Sequence, residues 1–254
     1  VLAITRDISA SLESCELTHV PRVPIDLVRA RAQHAAYEHM LQTLGCTIHR
    51  LPADDTMPDS VFIEDTAIVV DEVAIVTRPG AVSRRGEVTA VADALRPHRR
   101  LVCLEPPATL DGGDVLIAGR RVFVGRTART NGDGVAQLQR ALEPFGYRVT
   151  AVPVERCLHL KSAVTAVDDD LLLMNPAWID PAAFPGVARL DVDPREPAAA
   201  NVLRVGGPLL YASAFPRTRD RLVARGFDPA LVDASELAKA EGAVTCCSLL
   251  VGDV

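Results

Sequence analysis

No run in the chain approaches the ~18 apolar residues that a membrane-crossing helix needs. The opening residues, Val1 to Thr5, carry neither the basic region nor the long apolar core of a secretion signal, so the expectation is a cytoplasmic protein with no membrane partner. Lysine is nearly missing. Lys161 and Lys239 are the only two, and arginine supplies the rest of the 27 cations, a skew read as compositional bias. Those cations face 33 carboxylates, for a net charge of −6. That balance argues against a nucleic-acid partner, because phosphate binding draws on surplus Lys and Arg. The six cysteines contain no C-x-x-C, and the adjacent Cys246 and Cys247 suit a reducing compartment better than a disulfide framework. Without G-x-S-x-G or G-K-[ST], serine-hydrolase and P-loop readings fail. Gly132-x-Gly134 has Gln137 where the dinucleotide fingerprint wants glycine or alanine. Nor is there a zinc spacing, since His34 and His39 stand five apart and Cys157-x-His159 is too sparse alone.

What the chain does contain is a repeat. Val61 to Pro79, Asp114 to Gly125, Ala163 to Met174 and Asn201 to Ser213 each read as two apolar, β-branched-rich runs around a turn of Gly, Asp or Glu. Cys246 to Val251 reads as the first arm of a fifth hairpin ending at Gly252-Asp253, with Val1 to Thr5 as its partner. Stretches of helical character occur at Pro24 to Leu44, Arg84 to Leu95, Gly134 to Leu142, near Pro181 to Phe184, and at Thr218 to Arg225. Gly45, Gly146 and Gly226 serve as stop signals. A further extended segment follows each helix: Thr47 to Leu51, Arg100 to Leu104, Arg148 to Val152, Val187 to Val192 and Ala230 to Val232. The unit is strand, strand, helix, strand. One such unit of about fifty residues cannot bury its own apolar face, so five must pack into one body. Because the first strand completes the last hairpin, the expected fold is α/β, a closed five-bladed propeller of pseudo-fivefold ββαβ repeats. No low-complexity linker interrupts it, so residues 1–254 are read as one catalytic domain.

Polar residues recur at one phase of that repeat. Glu64-Asp65, Asp111 to Asp114, His159, Asn201 and Cys246 sit at or just before the first strand of each hairpin, at intervals of 42 to 48 residues. In a closed ring, equivalent positions face one axis. The set would gather carboxylates, an imidazole and a thiol: clamps for a cation, an acid/base and a nucleophile. Each member has a bland reading alone. Free cysteines are mostly apolar fillers, His159 between two leucines reads as a structural histidine, Asp111-Gly112-Gly113-Asp114 reads as a turn, and Asp59 to Asp65 as a solvated loop. Their shared phase favours the joint reading. Cys247, one residue on along a strand, is expected to face away.

Several segments then resemble a known family: Pro58 to Asp65, Thr77 to Gly80 with Ser83 to Glu87, Leu110 to Asp114, Ala128 to Asn131, Leu158 to Lys161 and Thr245 to Ser248. In that order they are similar to the dimethylarginine dimethylaminohydrolases of the guanidine-modifying pentein superfamily. The resemblance implies an α/β propeller hydrolysing Nω-methylated arginine through Cys246 as nucleophile, His159 as general acid/base and Asp111 as its partner. It implies substrate contacts from Asp59, Phe62, Glu64 and Asp65. Arg84 and Arg129 match the arginines near the α-carboxylate, Ala240 a main-chain contact, and Leu17 the lid residue, in a segment from Glu13 to Arg22. The family usually has Asp where this chain has Glu241. No metal or organic cofactor is implied. The expected partner is a small methylated arginine, the assembly a monomer or homodimer, and an inhibitory zinc at Cys246 with His159 is a candidate by analogy with mammalian relatives.

The chemistry accounts for the residue types. A guanidinium is a resonance-stabilised cation, so carboxylates must hold it while a thiolate attacks its central carbon. The cation in turn favours ionised sulfur. Attack by Cys246, protonation of the departing amine by His159 and hydrolysis of a covalent thiouronium would give citrulline. Related arginine deiminases, citrullinases and amidinotransferases are the alternatives among enzymes, and a non-catalytic propeller binding module is the alternative outside them.

Overall fold

Val122, Phe123 and Val124 are consecutive and all buried, although successive strand residues point to opposite faces. Both faces of such a strand are therefore covered, which is why the apolar runs are continuous and not alternating. The computed structural model describes residues 1–252. The expected turn residue Asp253 lies outside the described residues, as does Val254.

In chain order the elements are β1 (Leu2–Arg6), α1 (Leu27–Thr43), β2 (Thr47–Leu51), β3 (Ala67–Val69), β4 (Ala74–Val76), α2 (Val88–Leu95), β5 (Leu101–Cys103), β6 (Val115–Ala118), β7 (Arg121–Arg126), α3 (Gly132–Leu142) and β8 (Arg148–Pro153). The second half comprises α4 (Leu160–Ala163), β9 (Val164–Ala166), β10 (Leu171–Met174), β11 (Ala188–Asp191), β12 (Val202–Arg204), β13 (Leu209–Ala212), α5 (Pro216–Ala224), β14 (Ala230–Val232), α6 (Ser235–Ala238) and β15 (Leu249–Val251). They form five three-stranded sheets, β15-β1-β2, β3-β4-β5, β6-β7-β8, β9-β10-β11 and β12-β13-β14. In every sheet the middle strand runs antiparallel to the first and parallel to the third, as in β7 with β6 and β8. The last hairpin is completed by the first strand, with Leu2 opposite Val251. The closed propeller expected from the repeat is the observed fold.

Alternate residues of each strand fill the two seams beside it. Leu172 and Met174 of β10 pack with Leu116 and Phe123, whereas Leu171 and Leu173 pack with Val202 and Tyr211. Five apolar clusters occupy the five seams. The first strands of the sheets, β3, β6, β9, β12 and β15, line one axial cavity of about 250 Å³. Residues just before those strands must then converge at one end of the axis.

Two expectations are revised. The helix expected from Arg84 begins as a 3-10 turn over Val82–Glu87 and becomes α-helical only at Val88, where Gly86 weakens the first turn and Arg84 is drawn inward by acidic partners. The fourth unit holds a single 3-10 turn, Pro181–Ala183, with Pro185 and Gly186 stopping it. Gly45 and Gly226 end their helices at φ +93° and +89°, as their role as stops requires. No helix among the described residues is long and apolar enough to cross a membrane.

Candidate active site

The segment before each first strand is a short turn. Asp65 lies on the 3-10 turn Ile63–Thr66, Asp111 precedes another at Gly112–Asp114, and His159 precedes α4. Cys246 sits on a turn before β15 and not on a strand, so the strand-alternation argument against Cys247 does not apply. Cys247 is set aside instead by burial. It is 1 % exposed, packs in an apolar seam, and its thiol points to the Ala243 carbonyl at 3.7 Å. Cys246 is only partly buried, and its Sγ accepts from the Ala243 amide at 3.4 Å.

Cys246 and His159 line one cleft with Asp59, Phe62, Asp65, Arg84, Arg129 and Ala240. Its free space is about 20 Å³, on the scale of a single water. His159 Nε2 is 3.1 Å from Asp111 Oδ2 and 3.9 Å from Asp65 Oδ1. Burial works against its charged form, but Asp65, the hydrogen bond to Asp111 and the charge of Asp114 outweigh it and lift the imidazole pKa to about 9. Burial pushes the Cys246 thiol well up, and Glu64 and Asp65 push it further. The two shifts favour the neutral thiol and the charged imidazole. A larger apolar cavity of about 420 Å³ shares Leu158, Glu241 and Gly242 with this cleft, yet Cys246, His159, Asp59 and Asp65 line only the smaller one.

The Asp111-Gly112-Gly113-Asp114 segment is more than a turn. Neither glycine has a positive φ. Both are small because other groups occupy their side-chain space: a Cβ on Gly112 would lie 2.0 Å from the Glu64 carbonyl, and one on Gly113 would lie 2.6 Å from His159 Nδ1 and 2.9 Å from Asp65 Oδ1. Gly113→Ala is therefore expected to displace the imidazole and lower kcat about 100-fold, with circular dichroism confirming that the sheets persist. Unchanged kcat would show that the ring has no fixed position to lose.

Of the other sequence-derived residues, Arg84 is the most altered in meaning. Its guanidinium is buried against Asp65 at 2.5 Å and Glu87 at 2.8 Å, and donates to the Phe62 carbonyl at 3.0 Å. Its charge is matched within the wall. Burial raises the carboxyl of Asp65, but His159 and Arg84 overcome this and hold it at about 2. Arg129 reaches Asp111 at 3.7 Å and stays partly open to the cleft. Burial raises the Asp59 carboxyl, which accepts the Glu16 amide at 3.2 and 3.1 Å. Glu64 turns away from the cleft onto the axial cavity, where it meets Lys161 at 2.5 Å and the Thr245 hydroxyl at 2.8 Å. Asn201 braces that pair, donating to Thr245 at 3.0 Å and to the Lys161 carbonyl at 3.1 Å. Leu17 is half-buried and packs against the apolar seam of the first sheet.

With this geometry in place, comparison with known proteins is decisive. A family model described as N,N dimethylarginine dimethylhydrolase, eukaryotic, matches residues 23–182. The N(G),N(G)-dimethylarginine dimethylaminohydrolase of Streptomyces coelicolor is 45 % identical over 253 residues, covering 97 % of this chain and 95 % of its own. The chain belongs to the dimethylarginine dimethylaminohydrolase family. Among solved structures, the Pseudomonas aeruginosa enzyme, as a Cys-to-Ser mutant complexed with citrulline, superposes with a TM-score of 0.93 at 33 % identity, covering 97 % of both chains. A dimethylarginine dimethylaminohydrolase adduct with S-methyl-L-thiocitrulline gives 0.92 at 33 % identity, covering 97 % of this chain and 98 % of that one.

This dimethylarginine dimethylaminohydrolase family member also holds its site with residues that sequence reasoning passed over. Asp114 is fully buried, and its carboxylate accepts from Thr127 at 2.7 Å, Thr130 at 2.6 Å and the Leu160 amide at 2.9 Å. It thereby fixes both the Arg129 loop and the start of α4, beside His159. Burial raises its carboxyl to about 6. Its repeat phase was the available signal, since it ends the segment that Asp111 begins. The donor atoms of Asp65, Asp111 and His159 lie within 4.8 Å of one another, close enough to share a metal ion, whereas the zinc analogy pairs His159 with Cys246.

Proposed function

We propose that the protein hydrolyses Nω-methylated arginines, asymmetric dimethylarginine and monomethylarginine, to citrulline and dimethylamine or methylamine. The observation that carries this reading is the meeting of a thiol and an imidazole in one cleft with two buried carboxylates, Asp59 and Asp65. The carboxylates hold the guanidinium, and its arriving charge replaces the thiol proton, which leaves for solvent. Cys246 Sγ bonds to the guanidinium carbon. As the bond from that carbon to the methylated nitrogen breaks, His159 gives its proton to the departing amine. A water then loses a proton to His159 and attacks the thiouronium carbon. The C–S bond breaks as the new hydroxyl passes its proton to the departing sulfur, so citrulline leaves neutral and the resting thiol is restored.

Asp111 orients His159 and keeps it charged. Arg129, with its guanidinium open to the cleft, is read as the α-carboxylate anchor, with Arg84 supporting Asp65 from behind. Leu17 and Ala240 are read as lid and wall contacts, and Phe62 as the apolar flank. Glu64 supports the floor through Lys161 and Thr245. The six free thiols support a reducing, cytoplasmic setting. The completion of the last sheet by the first strand supports residues 1–254 as one catalytic unit.

The test is release of citrulline and amine from asymmetric dimethylarginine, monomethylarginine and arginine. Preferential turnover of the methylated compounds is expected. Faster turnover of citrulline itself by kcat/KM would overturn the reading, since a neutral urea offers the carboxylates no charge. A pH dependence also follows. The imidazolium supplies the proton for the leaving amine, so kcat/KM is expected to fall as pH rises through about 9, where His159 loses that proton. Asp111 raises this pKa, so Asp111→Asn moves the alkaline limb to lower pH; a limb that stays put would separate Asp111 from His159.

A further inference from the structure

Glu241 is the one non-glycine residue with a positive φ among the described residues, at 60°. It lies in the turn that closes α6, two residues past the C-cap Lys239, where its amide reaches back to Ala238 at 3.2 Å and the next amide, of Gly242, reaches Leu237 at 3.0 Å. That position favours glycine, because the left-handed region costs a side chain. A glycine would close the helix more cheaply, so the closing of the helix does not explain the glutamate. Its side chain does. The carboxylate accepts three consecutive amides of the segment across the cleft: Thr18 at 2.8 Å on Oε2, and His19 at 2.6 Å and Val20 at 3.1 Å on Oε1.

Those three amides have no other anchor in the segment. Among the described residues, no amide from 16 to 20 donates to a main-chain carbonyl. The Glu16 amide goes instead to Asp59, and the Glu16 carboxylate accepts the Ser83 hydroxyl at 2.7 Å. The segment is thus held from outside, at one end by Asp59 and Ser83 and at the other by Glu241. Thr18, His19 and Val20 are themselves exposed, so little burial holds them. Glu16 and Glu241 both line the cleft, whose free space of about 20 Å³ is too small for an amino acid, and His19 and Val20 line the larger cavity that shares Glu241 and Gly242 with it.

We propose that Glu241 is a positioning residue that clasps the segment Glu16 to Val20 over the cleft, so that substrate enters and product leaves only when its three hydrogen bonds open. This deepens the hydrolase reading and rests on it for the substrate. The clasp retains bound substrate without touching the reacting atoms, so its loss belongs in KM more than in kcat.

The test uses the full chain with Glu241→Gly, which removes the clasp while suiting the backbone, and with Glu241→Asp, which keeps a carboxylate. Hydrogen–deuterium exchange of the peptide spanning residues 16–22 is measured without substrate, alongside steady-state kinetics. In Glu241→Gly, exchange is expected to quicken at least tenfold and KM to rise about tenfold with kcat within about threefold, because charge-assisted hydrogen bonds are lost while the reacting groups stay in place. Melting temperature should not fall, and Glu241→Asp should recover most of the protection. Exchange at the wild-type rate in Glu241→Gly would overturn the clasp, as would a kcat loss with KM unmoved. If the wild type turns over no methylarginine, the substrate reading fails, and the exchange measurement still decides the clasp by itself.

Discussion

Replacing Cys246 by alanine is expected to lower citrulline formation from dimethylarginine at least about 10⁴-fold, because no other group in the cleft can form the covalent intermediate. Binding should survive. The carboxylates and Arg129 are untouched, so citrulline affinity by calorimetric titration should stay within about threefold of wild type. Cys247→Ala is the necessary companion. Its thiol is 1 % exposed, points to the Ala243 carbonyl and is pushed well up by burial, so it should change kcat by less than about threefold. Labelling by a haloacetamidine separates the pair independently. Loss of labelling in Cys247→Ala, with Cys246→Ala still labelled, would overturn the assignment of the nucleophile.

Arg84→Met is expected to cost about 3–5 kcal/mol, since it removes one partner of a buried charge network and leaves the others uncompensated. In the folded protein Arg84 is 3 % exposed and is bonded to Asp65, Glu87 and two main-chain carbonyls. For a chain of this size the loss corresponds to a fall in Tm of roughly 10 °C. Calorimetry would read it. Adding Glu87→Gln should return part of the stability, because it removes one of the stranded carboxylates. A Tm within about 2 °C of wild type in Arg84→Met would show that the network contributes no net stability. Lysine is a poor rescue at this position, as a point charge cannot reproduce the planar fork that serves four partners.

The two roles that sequence suggested for Arg84 and Glu64 illustrate what linear patterns reveal. That Glu64 lies near the axis is legible from its phase in the repeat, whereas Arg84 is named only through the resemblance that Ser83 to Glu87 carries. Where their charges go is not legible, because the partners are set by the fold: Arg84 by Asp65, Glu64 by Lys161 across 97 residues. The ring itself was legible from hairpins and helix stops, since continuous apolar runs with turn residues reflect burial on both faces. Short 3-10 turns before the strands leave no periodic mark, which is why the apolar run from Cys246 reads as strand although β15 begins only at Leu249. His159, Asp111 and Asp65 were found through their shared phase. Asp114 and Glu241 were not assigned roles, since a carboxylate that accepts main-chain amides from a distant segment looks the same in sequence as one in water.

The pairing of β1 with β15 bears on how the chain reaches its working form. Four sheets join strands that follow one another along the chain, and each can assemble as it is synthesised, with only short loops to close. The fifth cannot. Leu2 must wait for Val251, and until then β1 keeps an unpaired edge of the kind that invites mispairing. The same late segment carries Cys246 three residues before β15. The proposed nucleophile, last seam and final strand are thus delivered together, so a nascent chain that has not closed its ring holds the carboxylates and the imidazole without the Cys246 thiol.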